Sequence, residues 1–394
     1  LKDEINILVR KGIRFVFHLF FIFPIKRNRI MFESYKGKSY SCNPKYVSEY
    51  LYNNHKHEFE LVWVFREPEK HRDIKGIKSV KYNSLKYFYY RFTSKIIICN
   101  MTDEVYLPKR KEQVIINTWH AGGAYKRVGL SYFVTFSKAT QWQDEIVQKE
   151  TSYYVSSSVL FTKYNIQEAY HYDGEVLNIG MPRNDCLFDG NKIEMLSDKV
   201  RGLFKAQGKV IVLYAPTFRG DFSHAESLKV NLPFETVIRE VENKYGKEAV
   251  IFNRSHYTYA NKDMYTGDNK KVIDVTSHED MQELLAAADL LITDYSSVIF
   301  EYALLRRPIG FFCYDLTNYN RGFYLQYPDD LPGEVYYNQD ELVSFIENPN
   351  QHFDQEKYEK FLNKYMSACD GNSSKRIAEV INKFMKESRE DAGR

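Results

Sequence analysis

Short apolar runs alternate with longer amphipathic stretches along most of the chain. The runs are about 4 to 8 residues long, which is typical of buried strands. The first series of predicted strands is Arg29–Glu33, Glu60–Phe65, Lys95–Cys99, Val114–Thr118, Tyr153–Val155 and Val176–Ile179. The second series is Lys209–Ala215, Ala249–Asn253, Val272–Val275, Leu290–Thr293 and Pro308–Tyr314. Because helical patterns separate the strands, the sequence predicts parallel sheets covered by helices.

Capping residues mark the predicted helices. One helix begins at Asn43-Pro44, and three others are Ser84–Thr93, Ser158–Tyr170 and Ser277–Ala288. In the last of these, Ser277 and Asp280 have the spacing of a capping box. An Asp-Gly-Asn sequence within Phe188–Asp198 indicates a linker between the two series of strands.

The pattern therefore predicts an α/β protein with two Rossmann-like, doubly wound domains. We expect a basic and apolar segment at 1–29, an N-terminal domain at 30–190, a C-terminal domain at 191–370, and a helix and tail at 371–394. Ligands of such domains bind at the carboxyl ends of the strands, in a cleft. We expect the two domains to face a central cleft. The candidate motifs all follow strands and would therefore line this cleft, which predicts an enzyme.

Composition and charge narrow the class of protein. The 394 residues are 44% hydrophobic and 27% charged, which is typical of a globular chain. The net charge is +3, but residues 1–30 hold seven Lys or Arg and two acids, so the remainder is slightly acidic. A nucleic-acid-binding protein normally carries its positive charge over the whole domain, so this charge distribution disfavours a nucleic-acid partner. The five cysteines are dispersed without a CxxC pair, which disfavours a disulfide framework and favours the cytoplasm.

The apolar run Phe15–Ile25 is flanked by basic residues on both sides. It is shorter than the roughly 20 residues of a membrane-spanning helix, and no small-residue cleavage site follows it. We expect this segment to lie on an anionic membrane surface, which predicts a peripheral protein at the cytoplasmic face. The alternative is a first helix packed on the domain with a solvated basic face. Leu1 in place of Met predicts that the natural chain extends further at this end.

The sharpest chemical signal lies at Leu290–Glu301. An apolar strand ends at Asp294, and two serines, Ser296 and Ser297, then open a helix whose free N–H groups suit a phosphate. Glu301 lies one turn further on and has the chemistry to bind ribose hydroxyls. These residues predict a site for a nucleoside diphosphate. The alternative is ordinary N-capping of a buried helix.

A second signal follows the predicted strand Val114–Thr118. Trp119 and His120 precede two glycines, and the cations Lys126 and Arg127 come next. A histidine near neutrality can accept the proton of an attacking hydroxyl, and the two cations suit an anionic acceptor. We expect Trp119, Lys126 and Arg127 to bind the acceptor. The alternative is a structural histidine at the end of a strand.

Three weaker signals also follow strands. Their residues are Arg254 with His256, Thr217 with Arg219, and Arg321. Each offers a donor or a cation for a phosphate. The alternative for Arg254 with His256 is a surface pair at a strand exit, and the alternative for Arg321 is a structural loop. The sequence contains neither a P-loop nor a histidine cluster with metal spacing, so we expect no metal and no cofactor. Charge on a leaving nucleotide would then be balanced by arginines, histidines and helix dipoles.

Taken together, these motifs resemble the CDP-glycerol glycerophosphotransferase family, the teichoic acid primases and polymerases of Gram-positive bacteria and related capsule enzymes. The resemblance covers about residues 30–370. It rests on Thr118-Trp-His120 with Lys126-Arg127, Gly180-Met-Pro-Arg-Asn-Asp185, Tyr214-Ala-Pro-Thr-Phe-Arg219, Arg254-Ser-His256, Thr293-Asp-Tyr-Ser-Ser-Val298, and Arg321-Gly-Phe-Tyr through Pro332-Gly333.

The resemblance implies a GT-B fold, a CDP-polyol donor bound mainly by the C-terminal domain, metal-independent transfer and peripheral attachment to the inner membrane face. It implies that His120 is the general base and that His256 and Arg254 bind the donor diphosphate. Ser296, Ser297, Thr217 and Arg219 would line the same pocket, and a lipid-linked polyol phosphate would be the acceptor. Three departures from the family pattern are Ala121-Gly-Gly after His120, Tyr257 after His256, and Glu301 where aspartate is common. The first departure leaves the acceptor open.

The sequence therefore predicts transfer of glycerol phosphate or ribitol phosphate from a CDP-polyol to a hydroxyl, with release of CMP. The runner-up is a glycosyltransferase or epimerase of the same fold that uses a UDP-sugar. A third class is a non-catalytic membrane scaffold with a degenerate site. These residues are compatible with glycerol or ribitol as the polyol and with a single or a repeated addition. They are also compatible with a monomer or a homo-oligomer.

Overall fold

The computed structural model describes residues 2–102, 104–132, 136–217, 232–254, 269–319 and 322–390. The chain forms two parallel sheets, each with its own helices, which confirms the predicted α/β class. Contacts divide the chain into two units. The first unit comprises residues 1–120, 128–185 and 367–394, and the second comprises residues 121–127 and 186–366.

The first unit contains a seven-stranded parallel sheet. Its strands are β1 (Lys26–Glu33), β2 (Glu60–Phe65), β3 (Lys78–Lys81), β4 (Ser94–Cys99), β5 (Val114–Asn117), β6 (Tyr153–Ser156) and β7 (Glu175–Asn178), in the order β3-β2-β1-β4-β5-β6-β7. The predicted strands of the first series are confirmed to within a few residues. Strand β3 was not predicted, because this edge strand buries only Val80 between exposed polar residues.

The helices of the first unit cover this sheet and extend to both ends of the chain. They are α1 (Lys2–Phe17), α2 (Cys42–Asn54), α3 (Leu85–Thr93), α4 (Lys138–Glu150), α5 (Val159–Phe161) and α12 (Ser373–Glu390). Helix α5 continues as a π-helix over Thr162–Glu168. Ser84 caps α3 and Ser158 caps α5 through their side chains, as the sequence indicates.

The C-terminal helix is fixed to the first unit by Asp185. The two carboxylate oxygens of Asp185 accept hydrogen bonds from the backbone N–H groups of Ser373 (3.0 Å) and Ser374 (2.7 Å). Gly180, with φ +84°, allows this crossing, because a Cβ there would lie 2.4 Å from Oγ of Ser373. The helix at the predicted 371–394 segment is thus an integral part of the first unit, and the contact division begins at residue 367.

The second unit contains a six-stranded parallel sheet. Its strands are β8 (Val210–Ala215), β9 (Ala249–Asn253), β10 (Val272–Asp274), β11 (Leu290–Thr293), β12 (Ile309–Phe312) and β13 (Val335–Tyr336), in the order β10-β9-β8-β11-β12-β13. Val212, Ile251 and Ile292 are fully buried in its core. The five predicted strands are confirmed, whereas the two-residue strand β13 is too short to give a sequence pattern.

The helices described in the second unit are α6 (Gly190–Leu203), α7 (Phe234–Tyr245), α8 (Met281–Ala287), α9 (Val298–Leu304), α10 (Gln339–Glu347) and α11 (Gln355–Tyr365). The linker interpretation of the Asp-Gly-Asn sequence is wrong. Asp189 instead caps α6 by accepting from the N–H groups of Asn191 and Lys192. Similarly, α8 begins at Met281 with Asp280 as its cap, so the helix is shorter than predicted.

The N-terminal helix α1 packs on the first unit through one of its faces. Arg14 bonds Glu150 of α4 and the carbonyl oxygen of Val105, and Asp3 accepts from the N–H of Lys138. Phe17 and the following 3₁₀ turn, His18–Ile22, pack against a cluster that includes Tyr87 and Phe92. Among the described residues, no helix is both long and apolar enough to cross a membrane.

Candidate functional site

The turn that leaves strand β5 places His120 at the carboxyl end of the first sheet. The N–H of Thr118 donates to the carbonyl oxygen of Cys99 on the neighbouring strand (2.8 Å), and the N–H of Trp119 donates to Oδ1 of Asn117 (2.9 Å). Trp119 has φ +53°, a left-handed conformation that a bulky residue adopts only under strong local constraint. The chain therefore turns sharply just before His120.

The imidazole of His120 has a defined tautomer. Its Nδ1 lies 2.8 Å from the carbonyl oxygen of Asn100. A carbonyl oxygen only accepts, so Nδ1 carries the proton and Nε2 keeps its lone pair. Burial, the largest cause, lowers the pKa of His120, the hydrogen bond to Asn100 raises it, and the charge of Arg183 lowers it, so that the pKa lies at about 4. The ring is thus neutral at pH 7, which is the state that a general base needs.

Aromatic rings surround His120. Trp119 stacks on it with 4.8 Å between centroids, and Tyr35 meets it edge-on at 5.8 Å. Trp119 is only 6% exposed and packs against His120 and Tyr170, and its predicted contact with an acceptor stays a prediction. Trp119 supports the histidine and lies away from the surface.

Two residues that the sequence reasoning did not assign hold this turn. Asn43, at the start of α2, donates to the carbonyl oxygens of Thr118 and Trp119. Arg183, in the 3₁₀ turn Pro182–Phe188, donates to the carbonyl oxygen of His120. The signal for Arg183 was its place in the Gly180–Asp185 motif, and Asn43 had been interpreted as a helix cap.

In the second unit, Asp294 follows strand β11 and links two loops. Its Oδ1 accepts from the N–H of Thr217 (2.8 Å) and from the N–H of Tyr295 (2.5 Å). The carboxyl is buried. Asp294 was predicted to bind the donor, but in the structure its carboxylate joins the end of β8 to the end of β11. The carboxylate of Asp294 thus fixes the loop after β11, and it also fixes the backbone of Thr217 just after β8.

Ser296 and Ser297 lie at the start of helix α9, half-buried. The side chain of Ser297, the N-cap residue, makes no capping hydrogen bond to the helix. The alternative, N-capping of this helix by Asp294 or Ser296, is not tested by this observation. The placement is compatible with the predicted contact to phosphate, which stays a prediction.

Glu301 lies on the buried side of helix α9. Its side chain is 2% exposed, and a Cβ on Gly122 would lie 2.4 Å from its Oε1. The carboxylate thus lies directly beside Gly122. Its predicted contact with ribose hydroxyls stays a prediction.

Arg254 follows strand β9 and bonds a single loop. Its Nη1 donates to the carbonyl oxygens of Val275 (2.7 Å), Thr276 (2.7 Å) and His278 (2.5 Å). This arrangement gives Arg254 a structural role in fixing the loop after β10. The predicted contact of Arg254 with a diphosphate is not excluded by these bonds and stays a prediction.

Lys126 and Arg127 belong to the second unit, although the predicted limits placed them in the N-terminal domain. Lys126 pairs with Phe323 in an antiparallel bridge, and the N–H of Arg127 donates to the carbonyl oxygen of Gly322 (3.2 Å). Nearby, the hydroxyl of Tyr125 donates to the carbonyl oxygen of Asp294 (3.1 Å). This segment therefore contacts two loops of the second unit, the one that carries Asp294 through Tyr125 and the one at Gly322–Phe323 through Lys126 and Arg127.

The predicted site residues Arg219, His256 and Arg321 lie outside the described residues. Within the described ranges, no group of three His, Cys, Asp or Glu side chains is arranged to hold a metal ion. The described site residues thus form two separate clusters, one around His120 within the first unit and one around Asp294 within the second.

Comparison with known proteins places these clusters in context. Residues 15–383 match the family described as CDP-Glycerol:Poly(glycerophosphate) glycerophosphotransferase. A teichoic acid poly(glycerol phosphate) polymerase of Staphylococcus epidermidis is 33% identical over 92% of this chain and 52% of its own length. The chain thus spans about half the length of this relative. A teichoic acid glycerol-phosphate transferase of Staphylococcus aureus is 32% identical over 97% of this chain and 99% of its own length.

Other relatives are named as a ribitol-phosphate primase and a poly(ribitol-phosphate) polymerase. Among solved structures, the wall teichoic acid polymerase TagF matches with a TM-score of 0.84 and 30% identity, over 99% of this chain and 97% of that one. Another TagF structure was obtained after a soak with CDPG. The resemblance drawn from the motifs and the GT-B fold that it implied are confirmed.

Proposed function

Since the chain belongs to the CDP-Glycerol:Poly(glycerophosphate) glycerophosphotransferase family, we propose that it transfers a polyol phosphate from a CDP-polyol to a hydroxyl group. The acceptor oxygen attacks the β-phosphorus of the donor, the bond from that phosphorus to the bridging oxygen breaks, and CMP leaves. Phosphoryl transfer of this kind depends on positioning and on charge neutralisation. The printed names of the relatives include both glycerol and ribitol phosphate, so either polyol is compatible with the proposal.

The observation that carries the proposal is the state of His120. Its Nδ1 proton is bound by the Asn100 carbonyl, and the neutral ring offers Nε2 as an acceptor. We assign to Nε2 the removal of the acceptor hydroxyl proton. A surface histidine with an ordinary pKa would be partly protonated near neutrality, whereas this one is unprotonated over the physiological range and keeps the Nε2 lone pair open to a proton.

The donor belongs, in this proposal, to the second unit. Ser296 and Ser297 offer hydroxyl donors at the start of α9. The carboxylate of Asp294, just before them in the chain, binds the backbone N–H of Thr217. Arg254, and beyond the described residues Arg219, His256 and Arg321, would supply positive charge to the diphosphate. Such groups would stabilise the departing CMP without a metal ion.

The acceptor would be a lipid-linked polyol phosphate or growing chain. Lys126 and Arg127 are the cations that we assign to its phosphates, because they lie in the segment that directly follows His120. The backbone of Lys126 and Arg127 pairs with the backbone at Gly322–Phe323, which fixes the position from which both side chains extend.

A peripheral position at the cytoplasmic membrane face would match a lipid-linked acceptor. One face of α1 is bound to the first unit, and the opposite face exposes large apolar side chains. Those exposed by half or more are Ile5, Leu8, Val9, Phe15 and Val16, followed by Leu19 and Ile22 in the next turn. Basic residues flank this face, as in helices that lie on anionic membranes.

The proposal is tested by a thermal-shift screen of the purified protein against CDP-glycerol, CDP-ribitol, CDP, UDP and a UDP-sugar. A ligand present at about 100 times its Kd and bound only to the folded state adds about 2.7 kcal/mol of stability. We expect one CDP-polyol to stabilise the protein more than CDP does. Stabilisation by the UDP compounds instead would favour a sugar transferase or epimerase, and no stabilisation by any nucleotide would favour a non-catalytic scaffold.

A further inference from the structure

Two side chains from distant parts of the first unit bind three consecutive carbonyl groups that end at His120. Nδ2 of Asn43 donates to the carbonyl oxygens of Thr118 (2.9 Å) and Trp119 (3.1 Å). Nη1 of Arg183 donates to the carbonyl oxygen of His120 (3.0 Å). Because all three oxygens are bound, the backbone has little freedom to rotate at this turn.

The side chain of Asn43 also binds the backbone of Arg183. The N–H of Arg183 donates to Oδ1 of Asn43 (3.1 Å), and Nη1 of Arg183 lies 3.3 Å from Sγ of Cys42. Asn43 is fully buried and Arg183 is 7% exposed. The start of α2, the turn after β7 and the turn after β5 thus form one buried, hydrogen-bonded unit, which we call the carbonyl clamp (Asn43 and Arg183).

The clamp acts on a strained position. Trp119 has φ +53°, and a non-glycine residue keeps such a strained conformation only where its surroundings determine it. Relaxation of Trp119 would rotate the next peptide and move the His120 ring away from the carbonyl of Asn100. The position of Nε2 therefore depends on contacts that do not involve the imidazole itself.

We propose that Arg183, together with Asn43, is a positioning residue that holds His120 in the orientation required for proton removal. The inference rests on the proposed function, in which His120 is the general base. Arg183 also acts through its charge, since its guanidinium lowers the pKa of His120 in the same direction as burial does.

Other titratable and charged groups lie on the elements beside this turn. The loop after β1 contributes Tyr35, and α2 contributes the thiol of Cys42. The loops after β1 and β4 also carry the Lys36–Glu104 ion pair, whose opposite charges offset one another. Arg183 is the charged side chain that directly bonds the His120 residue, so its removal should raise the pKa of that histidine.

The test compares Arg183→Met, which removes the charge, with Arg183→Lys, which keeps it. Arg201→Met is the matched control, since Arg201 likewise binds backbone carbonyls, those of Lys209 and Ala287, in the second unit. The readouts are CMP release from CDP-glycerol with a lipid-like acceptor, the KM for the donor, and the pH dependence of kcat.

We expect Arg183→Met to lower kcat by ~10²-fold, the usual effect of a misplaced catalytic group, with little change in the donor KM. The acidic limb of the kcat profile of Arg183→Met should move to higher pH. Arg183→Lys should lower kcat and leave the limb in place, and Arg201→Met should retain both. An unchanged kcat and limb in Arg183→Met, or equal losses in Arg201→Met, would overturn the positioning role.

Two further outcomes keep the test decisive. If Arg183→Met does not fold, Arg183→Lys decides alone, and a wild-type kcat in that variant overturns the inference. Absence of CMP release by the wild-type protein with any CDP-polyol would instead remove the proposed function, and the inference with it. If the wild type is active and both Arg183 variants keep its kcat and pH dependence, only the role of the clamp is contradicted.

Discussion

The carboxylate of Glu301 occupies the space that a side chain at position 122 would need. A Cβ at Gly122 would lie 2.4 Å from Oε1 and 2.6 Å from the carboxyl carbon of Glu301. Gly122 does not have a positive φ, so its backbone conformation is open to other residues. Glycine is required here for space, and both residues are places where the chain departs from the common family pattern.

This contact predicts compensation between the two positions. Gly122→Ala should destabilise the protein by about 1–3 kcal/mol, because the new methyl group overlaps a buried carboxylate. Adding Glu301→Asp, which withdraws the carboxylate by one methylene, should recover most of that loss. The measurement is the free energy of unfolding in urea for the two single variants and the double variant. Additive losses in the double variant would show that the residues do not interact in this way.

The same pair separates packing from ribose recognition. If Glu301 packs against the segment at 121–127, then Glu301→Asp should weaken the binding of CDP and of 2′-deoxy-CDP by the same factor. Calorimetry with both nucleotides gives the ratio of their affinities. A ratio that falls to one in the variant would identify Glu301 as a ligand of the ribose hydroxyls.

The lowered pKa of His120 predicts how activity depends on pH. Protonation of Nε2 abolishes its role as a base, so the acidic limb of kcat/KM should lie near pH 4 and not near 6.5. Activity should therefore change little between pH 8 and about pH 5.5. A limb centred near 6.5 in a wild-type profile would contradict the buried, neutral imidazole.

Stability should follow the same titration. The folded state holds His120 at a lower pKa than the unfolded chain, so the unfolded chain binds the proton first as the pH falls. The stability advantage of the neutral ring is complete above about pH 6.5 and is lost as the pH falls toward 4. The free energy of unfolding of the wild type should thus decrease relative to that of His120→Gln over this range. Parallel curves for the two proteins would contradict the assignment.

The apolar face of α1 predicts binding to anionic membranes. Leu8 and Phe15 are 70% and 77% exposed on this face. Replacing both with aspartate should weaken sedimentation with phosphatidylglycerol vesicles by ~10-fold or more, because apolar burial is lost and negative charge is added. Met195→Asp, at an exposed residue of α6, is the control and should bind like the wild type. Equal binding by all three proteins would assign this face to another partner.

Sequence patterns were sufficient for the regular parts of the fold. Buried strands such as Glu60–Phe65 and Ala249–Asn253 are continuous apolar runs between polar turns, and their limits match the structure. The pattern failed where a residue has a role that depends on distant neighbours. Asp189 resembles a turn residue until α6 is seen to start on it, and strand β3 has only one buried side chain.

The site divides along the same line. His120 could be found from its neighbours in sequence, but its tautomer depends on Asn100, and its support depends on Arg183. Glu301 has the spacing of a ligand beside Ser297, yet its environment is set by Gly122. Local sequence therefore indicated which residues carry chemical groups, whereas tertiary contacts decide which of those groups face a ligand.

The most direct test of the account is the rate of CMP release by His120→Gln, an uncharged replacement for the imidazole. With CDP-glycerol or CDP-ribitol and a lipid-like acceptor, the variant should be ~10² to 10⁴ times slower than the wild type, while its calorimetric affinity for the donor is retained. His57→Gln, at an exposed histidine of the same unit, should match the wild type. Turnover by His120→Gln within a few-fold of the wild-type rate would contradict the role of His120 as the general base.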